Sequence, residues 1–76
     1  METITNNIQL SNLALTLRRL RIESGLSFKK LAKLTGISAD DLFDIERDFA
    51  IPSGKILDKL AKVYKVEASI FNVEVE

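Results

Sequence analysis

The residue types that most often carry acid–base, nucleophilic or zinc chemistry are missing here, since the 76-residue sequence has no histidine and no cysteine. Acidic residues cluster instead in one segment, GISADDLFDIERD, at residues 36–48. Asp40 and Asp44 are four positions apart, so on a helix they would share one face and could share one cation. A stable cation site needs further converging ligands. We therefore expect an acidic surface, with no metal site, no cofactor and no catalytic residue, and we do not expect an enzyme.

The charged residues are balanced in number but separated along the chain. Eleven cations and eleven anions give a formal net charge of zero. Residues 17–37 contain six Lys or Arg against one Glu, whereas residues 38–49 contain five acids against one Arg. Because a basic surface is typical of DNA-binding domains, the first segment favours a nucleic-acid ligand and the second argues against one.

Length and composition predict one small domain. An apolar fraction of 46% is enough for a compact core. No apolar run approaches the roughly 20 residues that a membrane-spanning helix needs. The start of the chain, METITNNIQL, lacks the basic and apolar pattern of a secretion signal. We expect a soluble, cytoplasmic protein that does not contact a membrane.

Serine residues at intervals divide the chain into short helices. Ser11, Ser27, Ser38 and Ser53 each precede a segment with helical spacing of apolar residues and would cap it. The segment EASIF near the C-terminus predicts a fifth, short helix. The pattern thus predicts an all-α bundle of five helices. The residues expected in its core are Leu17, Leu20, Leu31, Leu42, Ile45, Ile56, Leu57 and Leu60.

The two ends of the chain have a different pattern. ETIT and NVEVE alternate apolar and polar residues, which is typical of extended strands. Two interpretations remain open, namely frayed ends and a short antiparallel pair of strands within one chain or across a dimer. We divide the chain into an N-terminal extended arm (1–11), a helical domain (12–71) and a C-terminal tail (72–76).

The order of these segments resembles the XRE family of lambda-repressor-like helix-turn-helix domains. The resemblance covers about residues 12–71 and rests on spacing. Gly36 matches the glycine of the tight turn, and Ala32 matches the small residue that lets the two helices approach. Pro52 and Ser53 match the opening of the fourth helix. The resemblance implies a five-helix bundle that contains a helix-turn-helix, and a dimeric DNA-binding transcriptional regulator.

The same resemblance assigns roles to individual residues. Arg21 and Glu46 match the positions of an ion pair that joins the first and third helices. Residues at or beside the DNA-contacting positions of the family are Phe28, Lys29, Ala39, Asp40, Asp41, Asp44 and Lys55.

Several of these residues depart from the family pattern. Members usually have Gln at the position of Phe28, and Arg, Gln, Ser, Thr or Lys at the positions of Asp40, Asp41 and Asp44. Each carboxylate would repel a phosphate by about 1 kcal/mol at contact distance in water. Asp accepts a hydrogen bond from cytosine N4, so one Asp is compatible with base reading. Three together predict weak, salt-dependent DNA binding.

A protein ligand is the alternative interpretation. Phe43 is one step out of phase with the inward residues of the third helix and should point outward, whereas we expect Phe49 to fold back into the core. A surface formed by Asp40, Phe43 and Asp44 would suit a basic, partly apolar protein. The alternative function is therefore a protein-interaction module on a helix-turn-helix fold that has lost or weakened DNA binding.

We also expect a homodimer. The last two helices and the terminal segments carry more apolar side chains than a monomer of this size should need, and two-fold symmetry is the most common arrangement. The residues expected at this interface are Val63, Ile70, Phe71, Val73 and Val75.

Overall fold

The structure of the protein, a computed structural model, describes residues 11–72. The proposed terminal strands lie outside that range, apart from Asn72, which ends a 3-10 helix. It contains four α-helices: α1 (Asn12–Glu23), α2 (Phe28–Thr35), α3 (Ala39–Glu46) and α4 (Gly54–Tyr64). A 3-10 helix, Ala68–Asn72, follows α4. Residues 11–72 contain no β-strand, so the prediction of an all-helical fold is confirmed for this part of the chain.

The fifth element is not the α-helix that we predicted. Lys65 ends α4 in the left-handed conformation, with a φ of 61°. In the segment after it, the N–H of Ile70 donates to the carbonyl of Glu67 at 3.1 Å. This i to i+3 hydrogen bond belongs to a 3-10 helix, an element used in short pieces. The prediction of five α-helices is therefore not confirmed, since residues 11–72 hold four and one 3-10 helix.

A serine hydroxyl caps the start of every α-helix in the described range. Each accepts a hydrogen bond from the backbone N–H three residues later, at distances of 3.0 to 3.2 Å. A cap of this kind stabilises a helix by roughly 1 kcal/mol. The four predicted caps are confirmed: Ser11, Ser27, Ser38 and Ser53.

One hydrophobic core joins all these elements. Helix α3 packs against α1 and α2, α4 packs against α2, and the 3-10 helix contacts α1 and α4. Of the eight residues predicted for the core, Leu20, Ile56 and Leu57 are half-buried at its edge, and the other five are buried. Ala14, Ala61 and Phe71, which helical spacing also places inward, are buried with them, and the buried apolar residues that the prediction missed are Ile37 and Tyr64.

Only some of the residues expected at a dimer interface lie at the surface of the described part of the chain. Phe71 is 3% exposed and packs in the core of its own chain, so it does not belong to a free surface. Val63 and Ile70 are half-buried at the edge of the core. Val73 and Val75 lie outside the described residues.

Candidate nucleic-acid interface

A tight turn sets the angle between α2 and α3. Gly36 ends α2 in the left-handed conformation (φ 79°), which glycine adopts without steric cost. Its N–H donates to the carbonyl of Ala32 at 2.8 Å. The buried hydroxyl of Thr35 donates to the Leu31 carbonyl at 2.8 Å and accepts from the N–H of Ile37 at 3.1 Å. Thr35, which no sequence pattern singled out, thus satisfies two backbone groups of the turn.

An ion pair holds α3 against α1. The Nε–H of Arg21 donates to both carboxylate oxygens of Glu46, each at 3.0 Å. Glu46 is 4% exposed, so this end of α3 is anchored in the protein. The Arg21 Nη1 donates to the carbonyl of Leu26 at 3.1 Å. The guanidinium carbon lies 4.0 Å from the ring centre of Phe28. Arg21 therefore joins α1, the loop before α2 and α3.

The environment of Glu46 changes its acidity. Burial raises the pKa of this carboxyl, because a charged group is less favourable away from water. The hydrogen bond from Arg21 and the charges of Arg21 and Arg18 lower the pKa and offset part of this effect. Burial is the larger influence.

The outer face of α3 combines acidic and aromatic side chains. Asp40, Phe43, Asp44 and Arg47 occupy positions i, i+3, i+4 and i+7, so they share one side of the helix and its C-terminal end. Phe43 is 42% exposed, which confirms that it points outward. Asp40 is exposed and Asp44 is half-buried. The carboxylates therefore flank an aromatic ring on the side of α3 away from the core.

An aromatic–arginine cluster of Phe43, Arg47 and Phe49 continues this face. The guanidinium carbon of Arg47 lies 5.3 Å from the ring centre of Phe43 and 5.8 Å from that of Phe49. Both distances fall within the range of cation–π attraction. Arg47 was not among the predicted site residues, although its position four residues after Phe43 is a signal for this contact.

The prediction that Phe49 folds into the core is wrong, since its side chain is 71% exposed. The residue before it, Asp48, has a φ of 67°, so the chain turns sharply at the end of α3. The carboxylate of Asp48 accepts hydrogen bonds from the N–H of Ser11 at 2.9 Å and from its hydroxyl at 3.0 Å. These bonds hold the turn against the start of α1, and Phe49 leaves it on the solvent side.

The fold and this geometry agree with the comparison to known families. A family model described as a helix-turn-helix domain matches residues 12–69. The chain belongs to the helix-turn-helix domain family. A search of curated proteins found no match. A helix-turn-helix domain suggests a DNA-binding regulator, and in this one α2 and α3 are the two helices of the motif.

The start of α2 lies beside the outer face of α3 in this helix-turn-helix. The rings of Phe28 and Phe43 meet edge to face, with their centres 5.6 Å apart and their planes at 74°. The next residue, Lys29, is exposed, and it lines a shallow depression together with Ser27, Lys30 and Lys33. A basic surface thus begins where the acidic and aromatic face of α3 ends.

The remaining predicted residues are spread more widely. Ala39 is half-buried at the first position of α3, and Asp41 is exposed in its first turn. Lys55 is exposed in the first turn of α4, a different helix. Within residues 11–72, no group of three or more acidic, His or Cys side chains is arranged to hold a metal ion. No helix in this range is both long and apolar enough to cross a membrane.

Proposed function

We propose that this domain is a DNA-binding transcriptional regulator of the XRE type, which places α3 in the major groove of duplex DNA. The observation that supports this proposal is the placement of α3. Leu42, Ile45 and Glu46 fix its inward side, and its opposite side faces outward. The major groove admits an α-helix, and the second helix of a helix-turn-helix is the one that enters it. The proposed regulator is cytoplasmic, needs no cofactor and catalyses no reaction.

Lysine side chains on α2 would supply the phosphate contacts. The contact between Phe28 and Phe43 brings the start of α2 next to the outer face of α3. Lys29 and Lys30 are exposed in the first turn of α2 and Lys33 is exposed in its last turn. A recognition helix lying in the groove would bring these cations near the flanking phosphates. Contacts of this type position a protein on DNA but carry no base sequence.

Carboxylates on α3 would weaken the complex. Asp40, Asp41 and Asp44 each repel a nearby phosphate by about 1 kcal/mol in water. They also oppose the release of counterions, which supplies much of the affinity of DNA-binding proteins. The base that a carboxylate can still recognise is cytosine, through its N4 donor. We therefore propose a regulator with low affinity and strong salt dependence.

A dimer would add affinity through a second half-site. Dimeric helix-turn-helix proteins bind half-sites about one helical turn apart. The outer side of α4 and the 3-10 helix, where Val63 and Ile70 are half-buried, is a surface that would leave α3 free in both protomers. We propose this side for the DNA-bound dimer.

The test begins with selection of bound duplexes from a random pool. Binding of the protein to the selected duplexes is then titrated by fluorescence anisotropy, first at one fixed salt concentration and then over a salt series. The variant Lys29→Gln, Lys30→Gln, Lys33→Gln should flatten the slope of log affinity against log salt by up to about 0.9 per lost phosphate contact. The matched control removes three lysines from α4 and its C-cap: Lys59→Gln, Lys62→Gln, Lys65→Gln. It is measured on a duplex with a single half-site, where a dimer through α4 adds no affinity. The control should leave the slope unchanged.

A second variant tests the acidic residues of α3 in the same assay. Replacing Asp40, Asp41 and Asp44 by Asn keeps the side-chain size and removes three charges, so affinity should rise by about tenfold or more. No measurable binding by either the natural chain or this variant would refute the proposed function. A tight, specific complex that the Asn variant weakens would show instead that the aspartates read bases.

The aromatic–arginine cluster favours a second candidate function, a protein-interaction module. Exposed aromatic and arginine side chains are enriched at protein interfaces, and Phe49 is 71% exposed. With Asp40 and Asp44 beside them, a basic and partly apolar protein would be the complementary ligand. This candidate predicts that the Asn variant loses the protein ligand, whereas the DNA-binding function predicts a change on DNA alone.

A further inference from the structure

Helix α1 carries an outward stripe that the domain does not use for its own core. The α1 stripe consists of Leu15, Arg18, Arg19 and Ile22, at positions i, i+3, i+4 and i+7. Leu15 is 45% exposed and Ile22 is 59% exposed. Arg19 contacts Glu23 at 3.9 Å, but both side chains are about two-thirds exposed, and such a pair contributes little. The stripe is therefore apolar at its ends and cationic in the middle.

Helix α3 carries a stripe of the same spacing and opposite chemistry. The α3 stripe consists of Asp40, Phe43, Asp44 and Arg47. Its aspartates oppose the charge of the α1 stripe, and the ring of Phe43 offers an apolar contact, extended by Phe49. Each stripe spans seven residues of helix, which is roughly 10 Å at 1.5 Å per residue. The two stripes thus match in length, and the two aspartates complement the two arginines, whereas Arg47 at the end of the α3 stripe lies near the rings of Phe43 and Phe49 in its own chain.

The two stripes belong to one continuous surface. Arg18 lines the depression formed by the α1 stripe, together with Leu15 and Ile22. It also lines a second depression together with Phe43 and Arg47 of the α3 stripe. Arg18 therefore connects the α1 stripe to the Phe43–Arg47 part of the α3 stripe, so that the two halves of the pair adjoin. Such a face meets the requirement of a two-fold interface, in which the same patch on each subunit contacts its copy.

We propose that a second copy of the chain covers this face, with the α1 stripe of each protomer against the α3 stripe of its partner. Arg18 and Arg19 of one protomer then meet the aspartates of the other, and the exposed aliphatic side chains meet the exposed phenyl rings. The contact occurs twice, because the symmetry axis relates the two halves. It differs from a dimer through α4, which leaves α3 free.

This association covers the surface that α3 would present to DNA, so the dimer is a closed form of the domain. Its formation does not depend on DNA binding. If the domain both binds DNA and self-associates, duplex DNA and the second copy compete for α3. As the concentration of the free regulator rises, a larger fraction of its α3 helices is covered by the partner copy.

Charge reversal tests the interface by sedimentation equilibrium of the full chain. The α1 variant Arg18→Glu, Arg19→Glu and the α3 variant Asp40→Lys, Asp44→Lys should each lose self-association by roughly 100-fold or more, because like charges then face each other twice. An equimolar mixture of the two variants should associate again as a heterodimer, since both contacts regain opposite charges. A chain that carries all four substitutions should associate like the natural protein.

Folding is checked separately, since Arg18 lies near Glu46 and lowers its pKa. The single substitutions Arg19→Glu and Asp40→Lys repeat the mixing test without changing Arg18. Lys59→Glu with Lys62→Glu on α4 is the charge-matched control for this interface. A natural chain that stays monomeric at high micromolar concentration would overturn the proposal, and so would variants that associate as tightly as it does. Failure to bind DNA would remove the proposed function and leave this result intact.

Discussion

At the scale of single residues, the ion pair of Arg21 and Glu46 does more to hold α3 against α1 than any exposed charge in the described part of the chain. Their contact has one Nε–H shared between two carboxylate oxygens at 3.0 Å, with the Glu46 side chain 5% exposed. A buried pair of this kind adds little net stability but is costly to break, because the remaining charge stays buried without its partner.

We expect the substitutions Arg21→Met and Glu46→Gln to destabilise the domain by about 3–5 kcal/mol each. The double variant should be less unstable than the sum of the two, since it leaves no single buried charge. Urea denaturation of the four proteins measures this coupling as a double-mutant cycle. The exposed pair of Arg19 and Glu23 is the control, and its cycle should give less than about 1 kcal/mol.

A coupling close to zero between Arg21 and Glu46 would contradict this account. It would mean that water solvates both groups in the folded protein, and that core packing alone holds α3 against α1.

Tyr64 gives a prediction about pH. Burial, followed by the negative charge of Glu46, raises its pKa to about 12, although Arg21 lowers it in part. The pKa of Tyr64 in the folded protein exceeds the ordinary value of 10. The free energy of unfolding therefore keeps its full value below pH 10, where the phenol is protonated in both states. It falls as pH rises through 12, because the unfolded state ionises first. At roughly 1.4 kcal/mol per pKa unit, the loss amounts to roughly 2–3 kcal/mol.

The chain has one tyrosine and no tryptophan, so absorbance of the phenolate reports Tyr64 alone. The midpoint should be near 12 in the folded protein, and denaturant should return it to about 10. Tyr64→Phe lacks the ionisation and should not show this part of the alkaline loss of stability. A folded midpoint near 10 would show that water reaches the hydroxyl.

At the scale of elements, the turn after α3 depends on Asp48. This residue combines a left-handed backbone with two hydrogen bonds to Ser11. Asp and Asn tolerate that backbone better than other residues with a Cβ. Ser11 in turn caps α1, so the link joins the end of α3 to the start of α1.

Substitutions at Asp48 should separate the two effects. Asn keeps the backbone tolerance and an acceptor for Ser11, so the loss should be small. Gly keeps the backbone but loses the hydrogen bonds, at about 1 kcal/mol. Ala loses both, at roughly 2–3 kcal/mol. Chemical denaturation should therefore give the order Asn, Gly, Ala from most to least stable. An alanine variant as stable as the asparagine variant would disprove both contributions.

The elements also show which structural features the sequence patterns could predict. Serine caps, the glycine at position 36 and helical spacing predicted four α-helices, because these signals act within a few residues. The prediction for Phe49 failed because helical phase is defined only inside a helix. Asp48 has a φ of 67°, so the phase of α3 does not extend past it. The segment EASIF is only five residues long, so its apolar spacing does not distinguish an α-helical turn from a 3-10 turn.

The candidate site was harder to predict than the fold. The outward position of Phe43 followed from its phase on α3, because Leu42 and Ile45 already fill the inward side. The contact of Arg47 with both rings depends on the position of Phe49, which no local signal indicates. The hydrogen bond that Arg21 Nη1 donates to the Leu26 carbonyl likewise depends on the conformation of a loop. Contacts made by loop residues therefore required the structure.

At the scale of the whole molecule, charge separation matters more than the net charge of zero. Cations dominate α1 and α2, and acids dominate α3. These helices pack against each other, so one domain presents both signs on adjoining surfaces. An arrangement of this kind favours contact between copies of the chain and weakens attraction to DNA, and salt screens both effects.

The last prediction concerns the core that all the elements share. A domain of this size has a total stability of roughly 4–11 kcal/mol at 0.05 to 0.15 kcal/mol per residue. Leu31 on α2 is 1% exposed and belongs to the main core cluster. Leu31→Ala should therefore cost about 2–5 kcal/mol, a large part of the total. Because one core joins α1 to α4 and the 3-10 helix, the whole domain should unfold in a single transition at a lower temperature.

Leu34 is the matched control, since it is the same residue type on the same helix and is 54% exposed. Leu34→Ala should change stability by no more than about 0.5 kcal/mol, as is usual for surface substitutions. Thermal unfolding followed by circular dichroism compares the two variants. At roughly 4–8 °C per kcal/mol for a domain of this length, Leu31→Ala should lower the Tm by about 10 °C or more. Equal shifts for the two variants would mean that α2 packs on a different face, and the orientation of α2 and α3 described above would then be wrong.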